Sequence, residues 1–138
     1  VSTHLANSFK ELKDAVKAAF RRSPRILVEE VVKGEEVNCV VIEGAKGEKI
    51  YALLPSSESR LKVEENKQIE TMTKKAHEIL GLRHYYGSHF VVTPKKRIYI
   101  LETSSVPALH EDSLAHQALS ATGWRTSDFV DHVLSLAL

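Results

Sequence analysis

The side chains best suited to do chemistry fall in one stretch, Tyr85 to Leu114, where His89, Glu102 and Ser104 sit near the ends of two apolar runs. Tyr85–Val92 and Ile98–Thr103 are rich in β-branched and aromatic residues, and the polar segment Thr93 to Arg97 between them carries a proline, so the spacing predicts a β-hairpin. With Thr93 paired to Ile98 across a four-residue loop, His89 stands opposite Glu102, and Ser104 follows on the same face. An imidazole and a carboxylate so placed are either two ligands for a metal such as zinc, with His84 or His110 as a third, or a simple hydrogen-bonded pair. Beyond them, Glu102 to Pro107 breaks into a loop, and Glu111-Asp112-Ser113 offers an N-cap-like start to the next helix.

The rest of the chain must position that cluster. Its 138 residues suffice for one domain with a real core, and 43% hydrophobic with 27% charged residues is ordinary globular composition. Nineteen basic residues against eighteen acidic leave a net charge of +1, which draws the chain to neither nucleic acid nor anionic lipid. The single cysteine, Cys39, permits no disulfide framework and no cysteine-based metal site, which points to a reducing cytoplasm. No apolar run approaches the ~20 residues that cross a bilayer. No signal peptide is visible in the first residues, and the missing initiator methionine suggests a cut or processed product.

Ser8 should cap an amphipathic helix, Phe9–Arg22, with Phe9, Leu12, Val16, Ala19 and Phe20 as its apolar stripe and Pro24 ending it. Three strands are expected next, Ile26–Val32, Val37–Glu43 and Ile50–Leu54, joined by turns at Lys33–Glu36 and Ala45–Glu48. Pro55–Lys62 reads as a short loop and Val63–Leu80 as a second amphipathic helix closed by Gly81. After the hairpin come a helix at Leu114–Ala121, stopped by Thr122-Gly123, and a last helix capped by Thr126 or Ser127. The buried stripe of that last helix should be Phe129, Val130, Val133, Leu134 and Ala137, with Trp124 packing against it. Strands in groups with helices at intervals imply an α+β fold with a largely antiparallel sheet, one domain spanning residues 1–138 without internal repeats.

In this order the chain resembles the C-terminal lobe of ATP-grasp enzymes, most closely the D-alanine:D-alanine ligase branch. The residues that carry the resemblance are Ile26–Val37 with Glu29, Gly34 and Glu36, the helix end Leu80-Gly81-Leu82, the strand Tyr99–Glu102 leading to Pro107, then Asp112-Ser113-Leu114 and Gly123. It implies an acyl-phosphate mechanism in which ATP activates a carboxylate and an amine displaces the phosphate, with Mg²⁺ as the metal and a cell-wall dipeptide as the product. Glu29 would face the adenine amino group, Glu30 and Val32 would offer backbone groups, Glu36 would accept from the ribose, and Leu101 would floor the ring. Glu102 with Ser104 or His89 would carry the metal. Ala108, where the family has glycine, together with Ser113 and Leu114 would meet the acceptor amino acid.

The chain also departs from the family. An arginine that stabilises the transferring phosphate is replaced by Gly87, a metal-binding acid by His89 and an asparagine by Ser104, leaving only Glu102. Mg²⁺ prefers an octahedral shell of hard oxygens, and losing an arginine at a phosphoryl centre costs ~10³ in rate or more, so the isolated chain is expected to be inactive. Val1-Ser2 resembles the residues just after the family's phosphate loop, which places the phosphate-binding lysines before Val1. The partners implied are small amino acids, the preceding portion of the chain's own polypeptide, and a second copy in a full-length homodimer, with neither nucleic acid nor membrane. The alternative is a non-catalytic module that uses the scaffold for nucleotide binding or protein contact.

Overall fold

A computed structural model describes residues 3–57 and 61–138, so Val1, Ser2 and the middle of the Pro55–Lys62 loop lie outside the described residues. Backbone packing divides the chain into two compact units, Val1–Val31 and Val32–Leu138.

In the first unit the α1 helix, Phe9–Phe20, starts where the side-chain rules place it: the Glu11 amide donates to the Ser8 hydroxyl at 3.2 Å, and the Asn7 amide donates to the Glu11 carboxylate at 2.8 Å. Leu12, Val16 and Ala19 are half-buried, whereas Phe9 and Phe20 are exposed. The expected strand Ile26–Val32 does not form. The chain runs on without secondary structure from Arg25 to Lys33, because an extended apolar segment becomes a strand only beside a ladder partner, and none pairs with it among the described residues.

The second unit is an antiparallel sheet with helices on both faces, the α+β arrangement expected. β1 (Glu35–Glu43) lies at its centre, flanked on one side by β2 (Ile50–Ala52) and β3 (Ser56–Ser57), and on the other by β4 (Tyr85–Val92), then β5 (Ile98–Ser104). Strand alternation sorts the core. Val37, Cys39 and Val41 share the face covered by the α2 helix, Val63–Ile79, where Ile69, Phe90 and Tyr86 are fully buried. Val40 and Ile42 share the other face with Ala115, Ala118 and Leu119 of α3 (Leu114–Ala121) and Phe129 of α4 (Thr126–Ala137). Each such large apolar side chain contributes about 1.5–3 kcal/mol through its removal from water.

The helix ends follow local chemistry. Gly81, at φ +61°, closes α2 by donating to the Glu78 carbonyl while Leu82 donates to that of His77, the paired bonds of a left-handed helix stop. Ser113 caps α3, accepting from the His116 amide at 3.2 Å. Neither Thr126 nor Ser127 caps α4: Arg125 holds that position, its amide donating to Asp128 and its guanidinium gripping the same carboxylate at 2.7 and 3.0 Å. The inward side of α4 is Phe129, His132, Val133 and Leu136, while Val130, Leu134 and Ala137 face solvent. Trp124 packs against that helix as expected, edge-on to His132. No helix among the described residues is long and apolar enough to cross a membrane.

One residue ties both helical layers to the sheet. The Glu43 carboxylate accepts from His77 Nε2 at 3.0 Å and from the His84 amide at 2.7 Å, and its backbone carbonyl accepts from His132 Nε2 at 2.7 Å.

Candidate functional site

The hairpin is tighter at its tip than the sequence suggests. Val92 pairs with Ile98, and a loop of Pro94 to Lys96 is closed by the Thr93 amide on the Arg97 carbonyl, with Lys96 in the left-handed region at φ +61°. A bulge then intervenes. Phe90 pairs with Ile100 but His89 with Glu102, so Leu101 is the extra residue, 44% exposed. The expected juxtaposition of His89 and Glu102 is therefore present.

On β1, Asn38 stands directly opposite His89, and on β3 Ser56 stands opposite Asn38, so a polar row, Ser56, Asn38, His89, Glu102, crosses four strands. Asn38, His89 and Glu102 of this row line a cleft of about 410 Å³ together with Gly87, Ser104, Pro107, Ala108 and Ser113. Glu36, one pleat along β1 from Asn38, reaches the same histidine. His89 Nε2 lies 3.4 Å from Glu36 and its Nδ1 3.9 Å from Glu102, while the ring itself is only 22% exposed. Asn38 and the approach of Glu36 were not legible before β1 and β4, distant in sequence, were known to be neighbours.

The remaining candidates fall as follows. Glu29 and Glu30 are exposed in the first unit, and Val32 opens the second. Leu101 is exposed at the bulge. The Ser104 hydroxyl accepts from the Val106 amide at 3.2 Å, which turns the chain out of β5 into the loop. Ser113 is buried with its hydroxyl engaged in the cap of α3, and Leu114 is the first residue of that helix.

This donor set does not fit the divalent metal that the resemblance implies. The two carboxylates face opposite nitrogens of one ring, and a single ion can bind only one of those nitrogens, so it cannot gather both acids with the imidazole. The remaining oxygen donor, Ser104, is a neutral hydroxyl already used in the backbone turn. His84 is held at Glu43 through its backbone, and His110 is exposed in the loop, its carbonyl accepting from Ser113. Among the described residues, no three His, Cys, Asp or Glu side chains could hold a metal ion.

The model of one protein family, D-ala D-ala ligase C-terminus, matches residues 1–58 and 55–135. The chain belongs to this family. The D-alanine–D-alanine ligase of Geotalea uraniireducens is 27% identical over 155 residues, covering 99% of this chain and 50% of its own length. That of Clostridium botulinum (strain Eklund 17B / Type B) is 24% identical over 151 residues, covering 97% and 50%. The chain thus spans about half the length of the curated relatives it matches. Among solved structures, the ligase from Coxiella burnetii superposes with a TM-score of 0.88 at 24% identity, over 99% of this chain and 41% of that one. The Bacillus anthracis ligase complexed with ATP gives 0.81 at 18%, over 94% and 46%. At these identities the superpositions show a shared fold, that of the ATP-grasp D-alanine–D-alanine ligases.

Proposed function

We propose that residues 1–138 act as one functional domain: the nucleotide- and acceptor-binding lobe of an ATP-dependent carboxylate–amine ligase of the D-alanine–D-alanine type, working in the cytoplasm. The observation that carries this reading is the family match, which runs through nearly the whole chain and across both compact units. Glu29, with backbone groups of Glu30 and Val32, would hold the adenine edge, Glu36 the ribose hydroxyls, and the exposed Leu101 would lie under the ring. Ala108, Ser113 and Leu114 would meet the acceptor amino acid. The amide-forming step itself would depend on the preceding portion of the polypeptide, which would bring phosphate-binding lysines, and the full-length protein would pair as a homodimer. A second reading, a non-catalytic nucleotide-binding or protein-interaction module, draws on Gly87 and His89, which stand where the resemblance calls for an arginine and an acid.

Calorimetry of ATP on the purified chain, with and without Mg²⁺, tests the first half of the proposal. Measurable ATP binding that Glu36→Gln weakens is expected, and Mg²⁺ should add nothing because the donor set does not fit it. A well-folded sample that takes up no ATP would overturn the assignment of nucleotide-binding residues to this chain.

A further inference from the structure

The outer edge of the sheet is complementary to itself. β5 closes the sheet on one side, paired with β4 alone among the described residues, and its Tyr99, Ile100 and Leu101 are 40%, 40% and 44% exposed. We propose that two copies of this chain join their β5 edges antiparallel, about a two-fold axis through Tyr99. The alternation of the ladder supplies the bonds. Arg97 bonds inward, its carbonyl accepting from the Thr93 amide, so Ile98 and Ile100 turn their amides and carbonyls outward, away from β4. In the two-fold register each Ile98 stands opposite the second copy's Ile100 and exchanges both backbone bonds with it, which pairs the polar groups of an otherwise open edge.

The side chains fit the same register. Tyr99 pairs with Val91 and Glu102 with His89, which puts Tyr99, Glu102 and, two residues before Tyr99, Arg97 on the cleft face. Ile98 and Ile100, opposite Val92 and Phe90, share the α2 face. The bulge at Leu101 then brings Arg97 of one copy opposite Glu102 of the other, on the same face and twice by symmetry. Tyrosine meets tyrosine, isoleucine meets isoleucine and each guanidinium meets a carboxylate, all favourable cross-strand pairs. Arg97 is exposed and the Glu102 side chain is 80% exposed, so both are open to a neighbour. Ile98 also lines a groove of about 640 Å³ with Met72 of α2, and the second copy's Ile100 would extend that apolar row. Because a two-fold pairing uses the same edge of both copies, it closes at a dimer and leaves no edge to grow a fibre.

Sedimentation equilibrium of the full chain tests the pairing and a charge swap tests its register. The run is short and the interface small, so the dimer should be weak, its mass rising with loading concentration from 15.4 kDa toward twice that value. Arg97→Glu or Glu102→Arg alone sets like charges opposite each other at both symmetric positions and should weaken the dimer about tenfold. The two substitutions together restore the pairs and should bring the affinity back. Tyr99→Cys gives a second readout that surface charge does not move. Facing residues at a pair without backbone bonds lie about 4.5 Å apart at Cα, within disulfide range, so this variant should lock into a covalent dimer with oxidised glutathione. Lys95→Cys, at the exposed hairpin tip and off the axis, should crosslink far more slowly, and Cys39 is too buried to compete. A chain that stays monomeric at every loading concentration would overturn the proposal, as would equal crosslinking of the two cysteine variants. The proposal deepens the homodimer reading above and rests on it, but on none of the nucleotide contacts. A dimer indifferent to the charge swap and to position 99 would leave that reading standing and overturn this surface.

Discussion

Pro107 lies against Gly87 so closely that a β-carbon added to the glycine would come within 3.1 Å of the proline Cβ and 3.4 Å of its Cγ. Any side chain at this position, the arginine of the family included, requires the loop that carries Pro107 to give way by a few tenths of an ångström. Gly87→Ala should therefore cost only about 1 kcal/mol, since a loop residue can yield. Gly34→Ala should cost more, about 3 kcal/mol, because its β-carbon would meet the Val92 backbone oxygen at 2.4 Å and Val91 Cγ1 at 2.6 Å, inside the β1–β4 ladder. Urea denaturation of both variants checks the order, and a Gly87→Ala variant less stable than Gly34→Ala would refute it.

Glu43 makes the fold sensitive to acid. Burial pushes its carboxyl up, but the hydrogen bonds from His77 and the His84 amide outweigh that and hold it below the usual carboxylate range. As pH falls, the unfolded chain takes up this proton first, so the stabilisation is present above the ordinary value of 4.5 and is lost as pH drops through the lower, folded one. Glu65 acts in the same sense, through its hydrogen bonds from Lys96 and Lys62, while Glu70, pushed up by burial, acts in the opposite one. Glu43→Gln should lower stability by about 1–2 kcal/mol at neutral pH, and the gap to the parent chain should narrow as the pH falls from neutral to below 4.5. A gap that stays constant across thermal melts over that range would show that the charge of Glu43 is not what stabilises.

Local chemistry made much of this fold legible in advance, and pairings distant in sequence hid the rest. Ser8, Gly81 and Ser113 end or begin helices through bonds to their own neighbours, so their residue types sufficed. His89 opposite Glu102 was right for a compensating reason: the tip is one residue tighter than expected, and the bulge at Leu101 restores the register. The strand at Ile26–Val32 failed because composition records a preference for extended backbone and not the presence of a partner. On α4, the apolar spacing admitted more than one inward face, and contact with β1 through His132 selected the one carrying Leu136. Asn38 joined the cleft, and Glu36 reached His89, only through the β1–β4 pairing, which no local signal announces.

The hairpin tip is fastened to the start of α2 by Lys96, whose ammonium lies 2.8 Å from the buried Glu65 carboxylate. Glu65 also accepts from the Lys62 amide at 2.9 Å, so removing the lysine leaves a buried charge only half satisfied. Lys96→Met should cost about 1–2 kcal/mol. Lys96→Gly should cost less despite losing the same ion pair, since glycine adopts φ +61° without the penalty of about 1 kcal/mol that a side chain incurs there. Chemical denaturation of the two variants separates the ion pair from the backbone strain, and a glycine variant weaker than the methionine one would show that the strain is negligible.

Cys39 should be chemically silent in the folded chain. It is 1% exposed between the sheet and α2, its thiol donates to the Leu53 carbonyl at 3.6 Å, and burial pushes it up to about 12. The thiolate is the reacting species, so near neutral pH the reactive fraction falls about a thousandfold below that of a free cysteine, before steric exclusion is counted. Labelling by a chromogenic disulfide reagent should then wait for the sheet and α2 to separate. Its rate should rise with urea well below the unfolding midpoint and should fall with any substitution that stabilises the β1–α2 packing. A fast labelling phase in native buffer, complete within mixing, would mean that this face of the sheet opens without global unfolding and that the α2 layer is far looser than its buried contacts imply.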